Sequence, residues 1–403
     1  MKIQNYRQMD CMKFAAALMV ICVHTRHNAS EVWFDFFIQN ILCRVAVPFF
    51  FISSAFFIRK KSLEDPTYLR MKLSSLFTNY LFWSVVYILI GLFWINQNMD
   101  LDKVLYPFVL LFGIFYCGTY YHLWYIPALL FSLLVVTKLL HRFSYKIIFV
   151  FLGFFYLLGS LETYYSLIPN SVMKHFFDTY ISVLFTTRNG LFYAPIFIAC
   201  GFYIYDNKEK LIKLGHSIRY LLLLMVLLLI AEGYFIFRYS DYLDCNFILM
   251  LVPVSFLLFT LGIQSTIPIS FKTNRIRLLT QYYYFIHIIS IVLIAEIGHY
   301  MNWRFLEEGL SSFAFAALLT HYLSLQIIKI KESPLSKTVW SFSLFVSFFL
   351  TGILTALLLH SKGSFSPVHI EVYPCMFICI LIFISPIVGS MKTSTSLKKT
   401  ISR

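Results

Sequence analysis

Long apolar stretches recur along this chain from one end to the other. A hydrocarbon core about 30 Å thick needs roughly twenty apolar residues in an α-helix, and soluble domains do not bury so many such stretches. With 59% hydrophobic residues, 13% charged residues and a mean hydropathy of +0.75, the chain is predicted to be an all-α, polytopic membrane helix bundle. Thirteen windows lie near 11–27, 43–58, 75–95, 103–118, 121–140, 146–162, 190–205, 218–237, 245–264, 279–298, 309–328, 338–360 and 371–390.

The distribution of Lys and Arg sets the predicted orientation of these windows. With the N-terminus inside, the basic loop 59–72 is cytoplasmic. If window 103–118 crossed the membrane, the basic loops 141–146, 206–219 and 272–277 would all be external, against the positive-inside rule. We therefore expect window 103–118 to lie in the outer interface or to re-enter. The prediction is a multi-pass protein of the cell membrane, with about twelve transmembrane helices and both termini cytoplasmic.

Charge and cysteine content argue against several other classes of protein. The net charge of +14 is assigned to orientation, so nucleic acid is not expected as a partner. The eight cysteines are scattered, mostly within apolar windows, and none has metal-ligand spacing, so neither a metal nor a bound cofactor is expected. A basic leader precedes the first window without a small-residue cleavage site, which predicts a retained helix rather than a signal peptide.

Two ionisable residues occupy one face of the first predicted helix. Lys13 and His24 are eleven residues apart, close to a whole number of turns, so they share a face about 16 Å apart along the axis. Ionisable groups at membrane depth usually face the bundle interior or a partner. By the predicted topology, Lys13 lies near the cytoplasmic end and His24 near the outer end. The alternative is that Lys13 extends to the inner interface and His24 only marks the helix end.

Further polar residues are predicted to lie on the same outer side as His24. Arg44 begins the second helix and can either clamp an anion or anchor to lipid headgroups. His122 and Trp124 belong to an aromatic cluster typical of headgroup level, and Arg188 and Asn189 stand at the end of the longest polar connection, about 163–189. Several hydrogen-bond donors and a general base would therefore converge on one face of the membrane.

Two more ionisable residues lie inside apolar windows. Glu232 falls within window 218–237 and His287 within window 279–298. Taken singly, each is best explained as a buried polar group that a neighbouring Tyr or Ser satisfies.

Together, these residues resemble acyltransferase family 3. This group of membrane proteins includes O-acetyltransferases of bacterial surface polysaccharides and peptidoglycan, and the membrane domain of vancomycin-resistance serine racemases. The resemblance covers about residues 5–330 and implies a ten-helix core at 1–330, followed by two additional helices and a basic cytoplasmic tail at 331–403. The matching elements are Lys13 and His24 with upstream Arg7 and Asp10, then Arg44, Pro48, Phe50, Phe51 and Ser54, the His-Leu-Trp element at 122–124, Arg188-Asn189-Gly190, and the Tyr-rich helix with His287.

The chain departs from the family pattern at two places. Ala55 follows Ser54 where the family has glycine, which predicts the loss of a site of close backbone approach. The cytoplasmic basic motif, commonly two arginines three residues apart, is represented by Arg70 and Lys72, with Ser75 where a second arginine is expected. The resemblance therefore implies donor binding by Arg70 and Lys72 from only part of the family's basic motif.

The resemblance implies an enzyme that moves an acyl group, most often acetyl, from cytoplasmic acyl-CoA to a hydroxyl of an extracytoplasmic glycan or lipid-linked sugar. Acetyl-CoA or another acyl-CoA is then a co-substrate, and the expected partners are the bilayer, the glycan and a soluble acyl-transfer protein. His24 is the expected general base or acyl relay, and Lys13 positions the donor. The residues expected on the acceptor side are Arg44, His122, Trp124, Arg188, Asn189 and His287.

A different class of function also fits the sequence. A twelve-helix bundle with a polar internal face would serve a membrane transporter or exporter of a polysaccharide or a small polar metabolite. A structural scaffold without chemistry fits worse, because it leaves Lys13 and His24 inside an apolar helix without a reason.

Overall fold

The computed structural model describes residues 6–25, 29, 31–98, 102–169, 172–215, 217–265 and 267–332. All regular elements in this part of the chain are helical, which confirms the all-α class. The predicted windows 338–360 and 371–390 and the basic tail lie outside the described residues. The α-helices are α1 Arg7–His24, α2 Val32–Phe36, α3 Ala46–Glu64, α4 Tyr68–Asn98, α5 Tyr106–Tyr116, α6 Tyr125–Leu140, α7 Tyr145–Ser160, α8 Val172–Leu184, α9 Ala194–Asp206, α10 Lys208–Lys213, α11 Ser217–Tyr239, α12 Leu251–Gln264, α13 Asn274–Met301, α14 Arg304–Glu307 and α15 Gly309–Glu332.

Several helices have the length and composition of membrane spans. Within the described ranges, five are long and apolar enough to cross a bilayer, and four shorter apolar helices accompany them. The chain is therefore a multi-pass membrane protein, while the count of about twelve spans and the location of the termini remain predictions. The five long segments are Val32–Glu64, Tyr121–Leu140, Ser217–Tyr239, Asn274–Met301 and Gly309–Lys329, and the shorter helices are α5, α7, α9 and α12.

The chain divides into two compact units. Of the described residues, those within 6–23, 29–81 and 112–273 form unit 1, and those within 24–25, 82–111 and 274–332 form unit 2. In unit 1, α9 packs against α3, α6, α7 and α12, and its apolar side chains form the centre of the core. In unit 2, α13 packs against α14 and α15, and the ring of Trp83 stacks on Phe285 with centroids 4.8 Å apart.

Helices α3 and α9 approach each other closely at Gly201. A Cβ atom placed on Gly201 would lie 2.4 Å from the carbonyl oxygen of Ile52 and 2.6 Å from the Cβ of Ala55. The expectation that Ala55 removes a close backbone approach is therefore wrong. The small residue that permits the approach is on α9, which the sequence pattern of α3 alone does not reveal.

The helix that carries Arg44 is irregular just before Pro48. A π-helical turn at Phe37–Leu42 and a 3-10 turn at Cys43–Val45 precede α3. A proline inside a helix has no N–H for the carbonyl four residues earlier, and its ring collides with that carbonyl. The carbonyl concerned is that of Arg44, so Pro48 explains why the regular ladder is interrupted there. Such π-turns re-aim side chains and are frequent at functional sites.

Two segments differ from what hydropathy windows convey. Window 103–118 contains α5, whose eleven residues extend only about 16 Å, short of a hydrocarbon core. The segment 163–189, which reads as a polar connection, contains the helix α8. Its apolar residues recur at helical spacing, but Lys174, His175 and Asp178 dilute the windowed hydropathy below that of a span.

Candidate functional site

Two arginines from distant parts of the chain converge on one asparagine in unit 1. The Nη1 of Arg44 donates a hydrogen bond to the Oδ1 of Asn246, and the Nη1 of Arg188 lies 3.5 Å from the same oxygen. The Nη2 of Arg44 also donates to the Oδ1 of Asn40 at 3.0 Å, one helical turn earlier. The irregular turn before Pro48 thus carries both Asn40 and Arg44 into the contact.

Arg188 is further fixed by an acid and an aromatic ring. Its Nη1 lies 3.6 Å from the Oδ2 of Asp244, and its guanidinium carbon lies 5.3 Å from the ring centroid of Trp124, a cation–π geometry. The predicted proximity of Arg44, Trp124 and Arg188 is therefore present in the structure. We call Arg44, Arg188, Asp244 and Asn246 the arginine site.

The arginine site contains more hydrogen-bond donors than acceptors. The Nε atoms of Arg44 and Arg188 and the Nδ2 of Asn246 are buried, and none has a hydrogen-bond partner among the described residues. Asn246 is only 5% exposed. Leaving a buried donor unpaired costs about 1–3 kcal/mol, so this arrangement is well suited to a ligand rich in acceptor oxygens. The formal charges of the two arginines and Asp244 leave the site with a positive excess.

A buried carboxylate holds the loop that presents Arg188. Glu162 accepts hydrogen bonds from the backbone N–H of Thr187 at 2.8 Å, from the Thr187 hydroxyl at 2.5 Å and from the Thr186 hydroxyl at 3.2 Å. Burial and the nearby charge of Asp244 raise the pKa of Glu162, although the threonine hydrogen bonds oppose this rise. Glu162 therefore braces the loop that presents Arg188, a role that no local sequence pattern indicates.

A second acid, which is half-buried, organises the loop that carries Asp244 and Asn246. Glu232 accepts hydrogen bonds from the hydroxyl of Tyr164 and from the backbone N–H groups of Leu249 and Met250, at the N-terminus of α12. A carboxylate is favourable there because the first N–H groups of a helix have no internal partner. The expectation that a neighbouring tyrosine satisfies Glu232 is confirmed.

Asn189 and His122 lie in the same unit but in different surroundings. The Oδ1 of Asn189 accepts from the N–H groups of Leu191 and Phe192 at 2.8 and 3.1 Å, and its Nδ2 donates to the Tyr116 hydroxyl at 2.8 Å. These bonds shape the turn between Arg188 and α9. His122 is 3% exposed and stands edge-on to the rings of Tyr120 and Tyr121.

Two histidines face each other in unit 2. The ring centroids of His24, the last residue of α1, and His287, in α13, are 5.3 Å apart. The Nδ1 of His287 lies 2.9 Å from the carbonyl oxygen of Tyr283, so this nitrogen must carry a proton to donate. In the neutral ring, the acceptor lone pair then belongs to Nε2. We call His24 and His287 the histidine pair.

Lys13 lies over an aromatic ring near the start of α1. Its Nζ is 4.3 Å from the ring centroid of Phe57, on α3. The residues upstream of it fasten the helix: Arg7 donates to the carbonyl of Ile269 at 2.7 Å, and Asp10 accepts from the Thr273 hydroxyl at 2.6 Å. Arg7 and Asp10 therefore act as structural anchors of α1.

The two basic residues at the start of α4 differ in their exposure. Arg70 is exposed and Lys72 is half-buried. Nearby Arg59 is engaged in a two-pronged ion pair with Asp206, with N···O distances of 3.0 and 2.9 Å, and Tyr145 donates to the same carboxylate at 2.6 Å. A role of Arg70 and Lys72 in donor binding remains a prediction.

Sequence reasoning missed Asn246, which lies at the centre of the arginine site. An asparagine in a loop carries no spacing signal. Its part in the site is revealed only by its two partners, Arg44 in the turn before α3 and Arg188. Among the described residues, no three His, Cys, Asp or Glu side chains come together in a way that could hold a metal ion.

The chain shares its helical region with known proteins. A family model described as an acyltransferase domain matches residues 6–307. Two amino-acid racemases from Enterococcus faecalis are 30% and 25% identical over 213 and 331 residues, which are 52% and 80% of this chain and 29% and 46% of those proteins. A serine/alanine racemase from Enterococcus gallinarum is 29% identical over 233 residues, 56% of this chain and 32% of that protein.

The matched region is less than half the length of each of these relatives. No solved structure matches the chain. The match at residues 6–307 includes all the candidate side chains described above, from Lys13 to His287.

Proposed function

The chain belongs to the acyltransferase family 3, and we propose from this that it is a membrane O-acyltransferase of a bacterial cell surface. In this proposal, an acyl group, most often acetyl, passes from cytoplasmic acyl-CoA to a hydroxyl of an extracytoplasmic glycan or lipid-linked sugar. The matched relatives are named as racemases, and no racemase activity is proposed for this chain. A soluble acyl-transfer partner that completes the transfer to the acceptor is part of the same proposal.

The observation that carries this proposal is the histidine pair inside the matched region. Imidazole is the side chain best suited to taking and returning a proton near neutral pH. Because the Nδ1 of His287 is hydrogen-bonded to a backbone carbonyl, its tautomer and ring plane are fixed beside His24. A second imidazole in this orientation can hold the ring of His24 and share its proton.

The proposed transfer is balanced as follows. The hydroxyl oxygen of the acceptor forms a bond to the acyl carbon, while His24 takes the hydroxyl proton. The carbon–sulfur bond of the thioester breaks, and the protonated ring of His24 then gives that same proton to the thiolate of coenzyme A. Lys13, about 16 Å from His24 along α1, is proposed to hold the phosphate-bearing end of the donor, because an ammonium group pairs well with phosphate. The pantetheine arm would then extend along the helix.

Export of a glycan or a polar metabolite is the competing function. Surface glycan from a deletion strain, examined by mass spectrometry, distinguishes the two. An acyltransferase predicts loss of acyl mass at unchanged chain length and amount of glycan. Loss of the glycan itself, with normal acyl content in what remains, would favour export and contradict this proposal.

Replacement of Lys13 tests its part in donor positioning. We expect Lys13→Arg to retain most acylation and Lys13→Ala to lose most of it, because arginine preserves the cation and the contact with the Phe57 ring. The rate should be measured against acyl-CoA concentration, since a donor contact predicts a higher KM for Lys13→Ala. Equal activity of the two variants would remove Lys13 from the mechanism.

Replacement of His287 tests its role as a positioning residue. We expect His287→Gln to lower the acylation rate by roughly ten- to a hundredfold and to change the pH dependence of the rate, because the ring that orients His24 is lost. A purely structural role would lower the amount of folded protein and leave the pH profile of the remainder unchanged. The measurement is therefore rate against pH, normalised to folded protein.

A further inference from the structure

We propose that the arginine site binds an oxyanion, a carboxylate or phosphate group, carried by the acyl acceptor. This inference rests on the proposed function for the identity of the ligand as an acceptor. The anion binding itself follows from the geometry of unit 1 and does not require it. The proposal therefore narrows the acceptor from any hydroxyl-bearing glycan to one with an acidic sugar or a phosphate substituent.

The two arginines of the site have more hydrogen-bond donors than the surrounding side chains have acceptors. Each guanidinium carries five N–H donors, and the described residues offer the two arginines three side-chain acceptor groups, on Asn40, Asn246 and Asp244. The shared acceptor, the Oδ1 of Asn246, is neutral. Two guanidinium groups on one neutral oxygen form a weak arrangement, because arginine pairs most strongly with carboxylate or phosphate in a two-pronged geometry.

The arginine site is preorganised by contacts within the protein. Arg188 is held against Trp124, its loop is held by Glu162, and the Asn246 loop is held by hydrogen bonds between Thr163 and the backbone at Asp244 and Phe247. The guanidinium groups therefore lose little conformational freedom on binding, which favours affinity.

Asp244 does not neutralise both arginines of the site. Asp244 stays 3.6 Å from Arg188, with its side chain 28% exposed, and no hydrogen bond joins Asp244 to Arg44 among the described residues. Asp244 therefore partly neutralises Arg188. Arg44 has no anionic partner among the described residues. A bound oxyanion would supply the acceptor oxygens that the two arginines lack.

The substitution Asn246→Asp provides a sharp test, because it changes the side chain by one group and keeps its size. The new carboxylate would accept from both guanidinium groups and so occupy the place of the ligand. Arg188→Gln removes one donor set directly. Arg238→Gln is the matched control, because it removes the same charge at a residue outside the arginine site. Arg238 is exposed and lies in the last turn of α11.

Binding is measured on the purified full chain in lipid nanodiscs without an acyl donor. The probes are methyl β-glucuronide, glucose 1-phosphate and the neutral methyl β-glucoside. We expect at least one anionic probe to bind more tightly than the glucoside, and its affinity to fall about tenfold or more in Asn246→Asp and Arg188→Gln but not in Arg238→Gln. The stronger of the two anions identifies carboxylate or phosphate as the source.

The proposal is overturned if neither anion binds better than the glucoside, if Asn246→Asp binds as well as the unmodified chain, or if Arg238→Gln loses as much affinity. Absence of anion binding in a chain that still acylates its glycan would reject this proposal alone. The other outcome is that the protein binds the anion specifically but a deletion strain still acylates its glycan. That result would reject the proposed function, and with it the assignment of the anion to the acyl acceptor.

Discussion

His24→Ala is expected to abolish acylation of the surface glycan while the protein remains in the membrane at its normal amount. A positioned general base contributes about 10²- to 10⁴-fold to a rate, so residual acylation should fall below detection in ordinary glycan analysis. The substitution truncates a half-buried ring at the last residue of α1, where the helix has no further turns to destabilise. The effect should therefore lie in the chemistry and not in folding.

His175→Ala is the matched control for this prediction. His175 lies on α8, and its side chain is exposed, so its removal should leave acylation unchanged. The measurement is acyl content of purified glycan by mass spectrometry, with membrane abundance of each variant determined on the same cells. Full acylation in the His24→Ala strain would defeat the mechanism.

Gly201→Ala is expected to have the largest effect on stability among single methyl additions in unit 1. The added Cβ would lie 2.4 Å from the carbonyl oxygen of Ile52, a backbone atom that cannot rotate away. Overpacking of a tight interface costs about 1–3 kcal/mol and sometimes more, and we expect the upper end here. Thermal unfolding of the detergent-solubilised protein should show a clearly lower midpoint, with reduced abundance in the membrane.

Gly153→Ala on α7 separates this steric effect from helix propensity. Among the described residues, no atom outside the glycine, its two neighbours and the adjacent backbone of α7 lies within 4 Å of a Cβ placed on Gly153. Alanine in a helix interior is favoured over glycine by about 1 kcal/mol, so Gly153→Ala should leave the midpoint unchanged or raise it. If Gly201→Ala matched Gly153→Ala in stability, the close approach of α3 and α9 would not exist in the folded protein.

The sequence predicted the helical class and several neighbours in the site for physical reasons. Apolar windows report burial in lipid regardless of tertiary structure. Arg44, Trp124 and Arg188 were expected on one side of the membrane, and they do meet.

Other features depended on contacts that no local pattern encodes. Asn246 acquires its importance only because two arginines from elsewhere donate to it. Ala55 was expected to prevent a close approach that Gly201, about 150 residues later, makes possible. The role of Glu162 required knowing that the Thr187 loop folds over it. Each of these is a long-range pairing, and a single sequence contains no record of which distant residues pair.

The central claim is transfer of an acyl group from a cytoplasmic donor to an acceptor on the other side of the membrane. The most direct measurement uses sealed inside-out membrane vesicles supplied externally with acetyl-CoA labelled in the acetyl group. We expect label to appear on enclosed glycan, to resist an added impermeant esterase until detergent opens the vesicles, and to be absent with His24→Ala. Equal labelling of enclosed glycan in vesicles with the unmodified chain and with His24→Ala would contradict this claim.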